Sequence, residues 1–108
     1  MKKKDLELVI KNLQELLKKE EKRCAKLEKE IEELRLKLLE LQRKIEELQN
    51  DPNLNEDKQI LLDHLRSELT SDEDKLQEKI EEKEEVEDDC AKLKLDLDVV
   101  IKGNEELD

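Results

Sequence analysis

Apolar residues recur in a heptad pattern, without a slip, from Leu6 to Leu48. With the seven positions lettered a to g and Ile10 placed at a, twelve of the thirteen a and d positions are apolar, and Glu20 is the exception. A 3.5-residue apolar repeat keeps one seam of a helix facing a partner helix in a left-handed supercoil. The pattern predicts a long helix over residues 1–50 that packs along its length against another helix.

Composition supports a rod-like packing rather than a deep core. The chain has 108 residues, of which 51% are charged, and it contains no aromatic side chain. Aromatic residues bury the largest areas, so a core several side chains thick is not expected. Disorder is the other interpretation of so charged a chain, but the regular spacing of Leu and Ile argues against it. The sequence resembles coiled-coil proteins in general and no particular family.

A second, weaker heptad runs from Leu62 to Leu107, where ten of fourteen a and d positions are apolar. It predicts a second, acidic helix over residues 58–102. The polar exceptions cluster from Asp72 to Lys83, so we expect an irregularity within residues 70–83. Gly103 and Asn104 resemble a helix stop, which predicts a frayed end over residues 103–108.

Residues 51–57 are predicted to form the turn between the helices, because turn formers surround Pro52 there. Two caps fit the start of the second helix. One is Asn53 in a capping box with Glu56, and the other is Asp51 followed by proline at the first helical position.

The relation between the two heptads favours a fold-back. Consecutive a positions jump from Ile45 to Leu62, seventeen residues, which is not a multiple of seven. A parallel dimeric rod would have to absorb this slip, whereas a hairpin turns there. Antiparallel pairing of residues whose numbers add up to 110 makes eight of thirteen layers wholly apolar. The predicted fold is therefore all-α, an antiparallel coiled-coil hairpin, with the parallel dimeric rod as the alternative.

The predicted core seam comprises the apolar a and d residues of both helices. They are Leu6, Ile10, Leu13, Leu17, Leu27, Ile31, Leu34, Leu38, Leu41, Ile45, Leu48, Leu62, Leu65, Leu69, Leu76, Val86, Leu93, Leu97 and Val100.

Charges beside the seam are expected to cancel in the hairpin. Two flanking pairs are predicted to attract, and they are Arg23–Asp89 and Lys44–Glu68. Two others are predicted to repel, and they are Glu30–Glu82 and Lys37–Lys75.

Several apolar residues fall outside the seam, and two helices alone would leave them in water. They are Val9, Leu16, Leu36, Leu39, Leu61, Leu95, Val99 and Ile101. Isolated exposed apolar side chains are ordinary, but this number indicates a wider buried face. We therefore expect two hairpins to pack together as a homodimer.

Net charge is −11, and it is unevenly distributed. Residues 1–50 hold 14 basic and 12 acidic side chains, a net of +2, whereas residues 51–108 hold 8 and 21, a net of −13. Phosphate backbones are bound by clustered Lys and Arg, so a nucleic-acid partner is not expected. No apolar run is long enough for membrane insertion, and the start lacks the apolar stretch of a secretory signal. We expect an intracellular, cytoplasmic protein.

Cys24 and Cys90 are the two cysteines, and both fall on the seam. Their numbers add up to 114, which offsets them by about one helical turn from the predicted layers. A disulfide bond requires Cα atoms within about 7 Å. Small buried thiols are the favoured interpretation, with an intrachain or an interchain disulfide as alternatives.

No constellation of side chains predicts catalysis, a metal site or a cofactor. His64 is the only histidine, and its heptad position points into solvent, away from any partner that acid–base chemistry would require. The acidic run from Glu81 to Asp89 projects outward from a helix, whereas calcium needs oxygens that converge from a loop. That run fits a basic protein surface better than a cation.

Two functions follow from these features, and neither is enzymatic. The first is a structural or oligomerisation module, on its own or as part of a larger scaffold, cytoskeletal or trafficking protein. The second is a protein-binding finger in which the acidic arm or the hairpin tip docks a basic partner. In the latter case the contact residues at the tip would be Asn53, Leu54 and Asn55.

Overall fold

The computed structural model describes residues 2–106 and contains two helices in that range. Helix α1 spans Lys3–Gln49 and helix α2 spans Glu56–Glu106, with no strand between residues 2 and 106. The all-α fold and the antiparallel hairpin predicted from the sequence are confirmed. The chain divides into two compact units. We call residues 28–81 the turn unit, and residues 2–27 with 82–106 the terminal unit.

The turn unit is held together by leucine and isoleucine side chains from both helices. Leu41, Ile45, Leu62 and Leu65 form one buried cluster, and Leu48 and Leu69 pack against it. These six residues are the members of three successive predicted layers. Each fully buried Leu or Ile contributes roughly 1.5–3 kcal/mol, so this cluster fixes the pairing of the two helices next to the turn.

The terminal unit has a smaller buried cluster around Val86, which is 1% exposed. Leu27 and Cys90 complete the cluster, and Leu17 and Cys24 pack against it. Small side chains occupy several of these positions, so less apolar area is buried here than beside the turn. The buried cluster of the turn unit therefore consists of Leu and Ile alone, whereas that of the terminal unit also contains Val and Cys and is smaller.

Seam positions are more enclosed than outward positions. All of the predicted seam residues are buried or half-buried, and most residues outside the seam are exposed, although a few such as Val9 and Ile80 are half-buried. Polar residues at a and d positions follow the same pattern, since Asp72 is buried while Lys79, Lys83 and Glu20 are half-buried. Position in the heptad, rather than residue type, decides which side chains are enclosed.

Helix α2 is capped by Asn55, so neither predicted cap is correct. Asn55 Oδ1 accepts a hydrogen bond from the Lys58 backbone N–H at 2.9 Å, and its carbonyl accepts one from Gln59. The Asp51 side chain instead accepts from the Asn53 N–H at 2.8 Å and from Lys58 Nζ at 2.7 Å. These two hydrogen bonds lower the pKa of Asp51. Asp51 closes the turn, and Asn55 starts the helix.

Replacing Asn55 with alanine should lower the free energy of unfolding by about 1 kcal/mol, because the Lys58 N–H then loses its acceptor. Asn53→Ala is the matched control. Its side chain is exposed and only its backbone takes part in the turn, so we expect little change. Urea denaturation followed by circular dichroism measures both. Equal losses for the two variants would show that Asn55 is not the cap.

Helix α2 continues where the sequence predicted interruptions. No break occurs within residues 70–83, because Thr70 Oγ1 donates to the Arg66 carbonyl at 3.2 Å within the helix instead of capping a new one. The helix also starts two residues before the predicted residue 58 and runs four residues past 102. Gly103 does not adopt the left-handed conformation of a helix stop. One helical glycine costs about 1 kcal/mol, which does not end a helix by itself.

Candidate interaction site

The terminal unit carries a charged contact on one side of its seam. Arg23 Nη2 donates a hydrogen bond to Glu82 Oε1 at 3.0 Å. That bond, and then the charges of Glu82, Glu20 and Asp89, raise the pKa of Arg23. Both Arg23 and Glu82 occupy g positions. The g positions of α1 and α2 therefore lie on the same side of the terminal unit.

The turn unit places a carboxylate inside the seam. Asp72 is 2% exposed, and Lys37 Nζ lies 3.0 Å from its Oδ2 and 3.4 Å from Glu68 Oε1. The distance between Lys37 Nζ and Asp72 Oδ2 is that of a strong ion pair. The angle does not fit a hydrogen bond, so Asp72 Oδ2 has no hydrogen-bond donor. Proximity to Asp72, and then to Glu68, raises the pKa of Lys37. On the same unit, Lys79 pairs with Glu30 at 2.8 Å.

The flanking charges make ion pairs that differ from the predicted ones, although the predicted attraction between Arg23 and Asp89 is present. Arg23 bonds to Glu82, and Asp89 adds a weaker attraction. Arg23 therefore interacts with two acidic residues of the other helix, one heptad apart.

In the turn unit the flanking residues also reach into the seam. Lys37 contacts Asp72 as well as Glu68, and Glu30 pairs with the seam residue Lys79. The ion-pair partners of flanking residues cannot be predicted from heptad positions alone, because a long side chain can reach more than one residue of the other helix. The contacts observed are attractive, so they add to the preference for the antiparallel pairing.

Cys24 and Cys90 are not joined by a disulfide bond. Cys90 is 8% exposed and belongs to the buried cluster, against which Cys24 packs. Burial raises the pKa of the Cys90 thiol, and the negative charges of Glu20 and Glu21 act in the same direction. A raised pKa lowers the thiolate fraction, so the Cys90 thiol is a weak nucleophile.

The tip residues proposed as a contact surface are all accessible. Asn53, Leu54 and Asn55 are exposed, and Leu54 retains 38% of its surface. The Asn55 side chain is occupied as the cap of α2, which leaves Asn53 and Leu54 for a partner. Docking through the tip stays a prediction.

The other polar candidates lie on the surface. His64 is exposed on the outer side of α2. Within the acidic run, Glu82 pairs with Arg23, and Glu87 pairs with Lys83 at 3.3 Å. Among residues 2–106, no group of three or more potential ligands is arranged to hold a metal ion. Neither helix, over its described length, is apolar enough to cross a bilayer.

Large apolar side chains outside the seam are mostly exposed. Their exposed fractions include 50% for Leu16, 58% for Leu36, 63% for Leu39 and 70% for Val99. Val9 is half-buried, while Leu61, Leu95 and Ile101 are exposed. Leu8 and Ile60 belong to this group as well, although the sequence analysis did not single them out. Their heptad positions, outside a and d, were the signal that could have identified them.

Comparison with protein-family models, curated proteins and solved structures gives no match for this chain. The fold and the surface described above define an antiparallel helical hairpin whose apolar residues are divided between an enclosed seam and an exposed exterior.

Proposed function

We propose that this chain is an association module, which uses the outer faces of its helical hairpin to bind another protein, in the first place a second copy of itself. The observation that carries the proposal is the exposure of large apolar side chains in helical register. Leu36 and Leu39 are three residues apart, and Leu95 and Val99 are four apart, so each pair lies on one face of its helix. Contiguous exposed apolar patches mark surfaces that bind other proteins, whereas apolar residues scattered singly do not.

The attractive ion pairs between the two helices suit such a role. A scaffold or tethering element holds its binding partners at defined positions along its helices. Such an element requires one defined pairing of its helices and does not require a pocket. We place it inside the cell, where seam thiols such as that of Cys90 stay reduced. It would serve either as a separate subunit or as a part of a larger scaffold, cytoskeletal or trafficking protein.

Sedimentation equilibrium tests self-association directly. We expect a mass of twice 12.9 kDa at micromolar concentration, because burying several exposed Leu and Val side chains on each copy offsets the cost of association. Covering the apolar exterior should also slow hydrogen exchange in the wild-type protein as its concentration rises. A mass of a single chain across the concentration range would contradict the proposal.

A further inference from the structure

One side of the terminal unit combines apolar and charged residues that have no partner within the described chain. On α1, Leu16 is 50% exposed and lines a hollow of about 420 Å³ together with Asn12, Glu15 and Lys19. Val9 lies one heptad earlier on the same side and is half-buried. The Arg23–Glu82 hydrogen bond shows that α2 borders this same side. We call this surface the flank.

Charges on the flank have opposite signs on the two helices. Lys19 and Lys26 are exposed on α1, and Glu85 and Asp89 are exposed on α2. None of the four forms an ion pair with another residue in the range 2–106, although Asp89 attracts Arg23 from a greater distance. The α1 edge of the flank is therefore basic in net charge. The α2 edge is acidic in net charge, although Lys92 lies on it one heptad after Glu85.

This separation of charge is particular to the terminal unit. Residues 3–27 hold 8 basic and 5 acidic side chains, a net of +3, while residues 82–106 hold 4 and 10, a net of −6. In the turn unit both segments are acidic, with a net of −2 over residues 28–49 and −5 over residues 56–81. Only the terminal unit presents complementary edges to a second copy of this chain.

We propose that the flank binds the flank of a second copy about a two-fold axis parallel to the helices, so that α1 of each copy lies over α2 of the other. The inference rests on the proposed self-association and names the surface that mediates it. A half-turn about such an axis exchanges the two edges and keeps each residue at its level along the helices. Lys26 then comes level with Glu85 of the second copy. Lys19 comes level with Lys92, and it lies within about 3 Å axially of the level of Asp89.

The alternative two-fold axis, across the helices, is disfavoured by the same charges. It would place α1 over α1 and bring Lys19 and Lys26 of both copies together, with acidic side chains facing one another on α2. Like charges in apposition cost several kcal/mol. Under the parallel axis the basic edge of one copy meets the acidic edge of the other, with Lys19 opposite Lys92 as the unfavourable exception. An interface that uses the same patch on both copies closes as a dimer. Leu16 and Val9 lie on the surface that this dimer would bury.

Charge reversal on each edge tests the arrangement. One variant carries K19E and K26E, and the other carries E85K and D89K. Each alone should bind itself at least tenfold more weakly than the wild type, because the contacts of residues 19 and 26 with residues 85 and 89 become repulsive. Mixed in equal amounts, the two should form a heterodimer near wild-type affinity, since each reversed edge then meets its complement. Sedimentation equilibrium measures all three, and circular dichroism checks their helix content.

A matched control separates this effect from net charge. K18E with K22E makes the same change on the same helix but outside the flank, and it should leave dimerisation unchanged. Leu16→Gln changes no charge and should weaken the dimer at least fivefold, which provides a test should a reversed variant lose helix.

The outcomes distinguish the surface from the function. A dimeric wild type whose flank variants dimerise equally well would overturn the flank arrangement and leave self-association standing. The flank arrangement would also be overturned if the two reversed variants were monomeric and formed no heterodimer when mixed. Wild-type dimer affinity in Leu16→Gln would overturn it as well. A monomeric wild type would overturn both proposals.

Discussion

Replacing Leu62 with alanine should lower the free energy of unfolding by about 2–4 kcal/mol, because the change removes buried methyl groups and leaves a cavity. Leu62 is 2% exposed and packs in the cluster with Leu41, Ile45 and Leu65. In a seam between only two helices, few neighbouring side chains can move to fill the cavity. The loss should therefore be a large part of the stability of the turn unit.

Ile60→Ala is the matched control, since it removes a similar volume from the same helix at a residue that is 63% exposed. Its effect should stay within about 0.5 kcal/mol. Urea denaturation compares the two at a protein concentration low enough for the chain to be monomeric, because Ile60 belongs to the exposed apolar group and a self-associating protein changes in stability with concentration. Equal effects at Leu62 and Ile60 would contradict the placement of Leu62 in the seam.

The parts of this fold that follow from sequence are those that depend on periodicity. A heptad letter specifies a direction around the helix, so the enclosure of Leu62 and the exposure of Ile60 both follow from it. The hairpin follows from the seventeen-residue jump between Ile45 and Leu62 together with Pro52. These inferences need no knowledge of side-chain conformation.

Features that depend on competition between neighbouring groups could not be read in this way. Asp51, Asn53 and Asn55 are all acceptable helix caps, and the choice of Asn55 depends on how Asp51 bonds to Lys58 across the turn. The ion-pair partners of the flanking residues could not be predicted for the same reason, since Lys37 has both Glu68 and Asp72 within reach. At Gly103 the local signal for a stop was present, but one glycine does not outweigh the continued helix.

Asp72 offers the second large effect, and its expected sign is the opposite of that for Leu62. Asp72→Leu should raise the free energy of unfolding by about 1–3 kcal/mol, because an enclosed charge loses more in desolvation than an imperfect ion pair returns. Lys37 does not become a buried orphan in this variant. Its side chain is 50% exposed, and Glu68 remains 3.4 Å away.

The matched control is Asp72→Asn, which removes the charge and keeps the shape. It should gain much less than the leucine variant, because a buried amide with few partners also costs free energy. Thermal and urea denaturation compare the three proteins. A leucine variant less stable than the wild type by more than about 1 kcal/mol would contradict this prediction and show that the Lys37–Asp72 pair is net stabilising. Removing one partner of a well-paired buried ion pair costs about 3–5 kcal/mol.

A stability gain on removing Asp72 would raise the question of what the carboxylate does in the seam. In a parallel pairing of α2 with its own copy, Asp72 would face Asp72 at a d position, where two enclosed carboxylates repel. In the hairpin it meets Lys37 instead. We expect the residue to select the antiparallel pairing over the parallel rod at a cost in stability. Asp72→Leu should accordingly be more stable and less selective, and sedimentation velocity should resolve a fraction of extended parallel dimers that sediment more slowly than the wild type at the same mass.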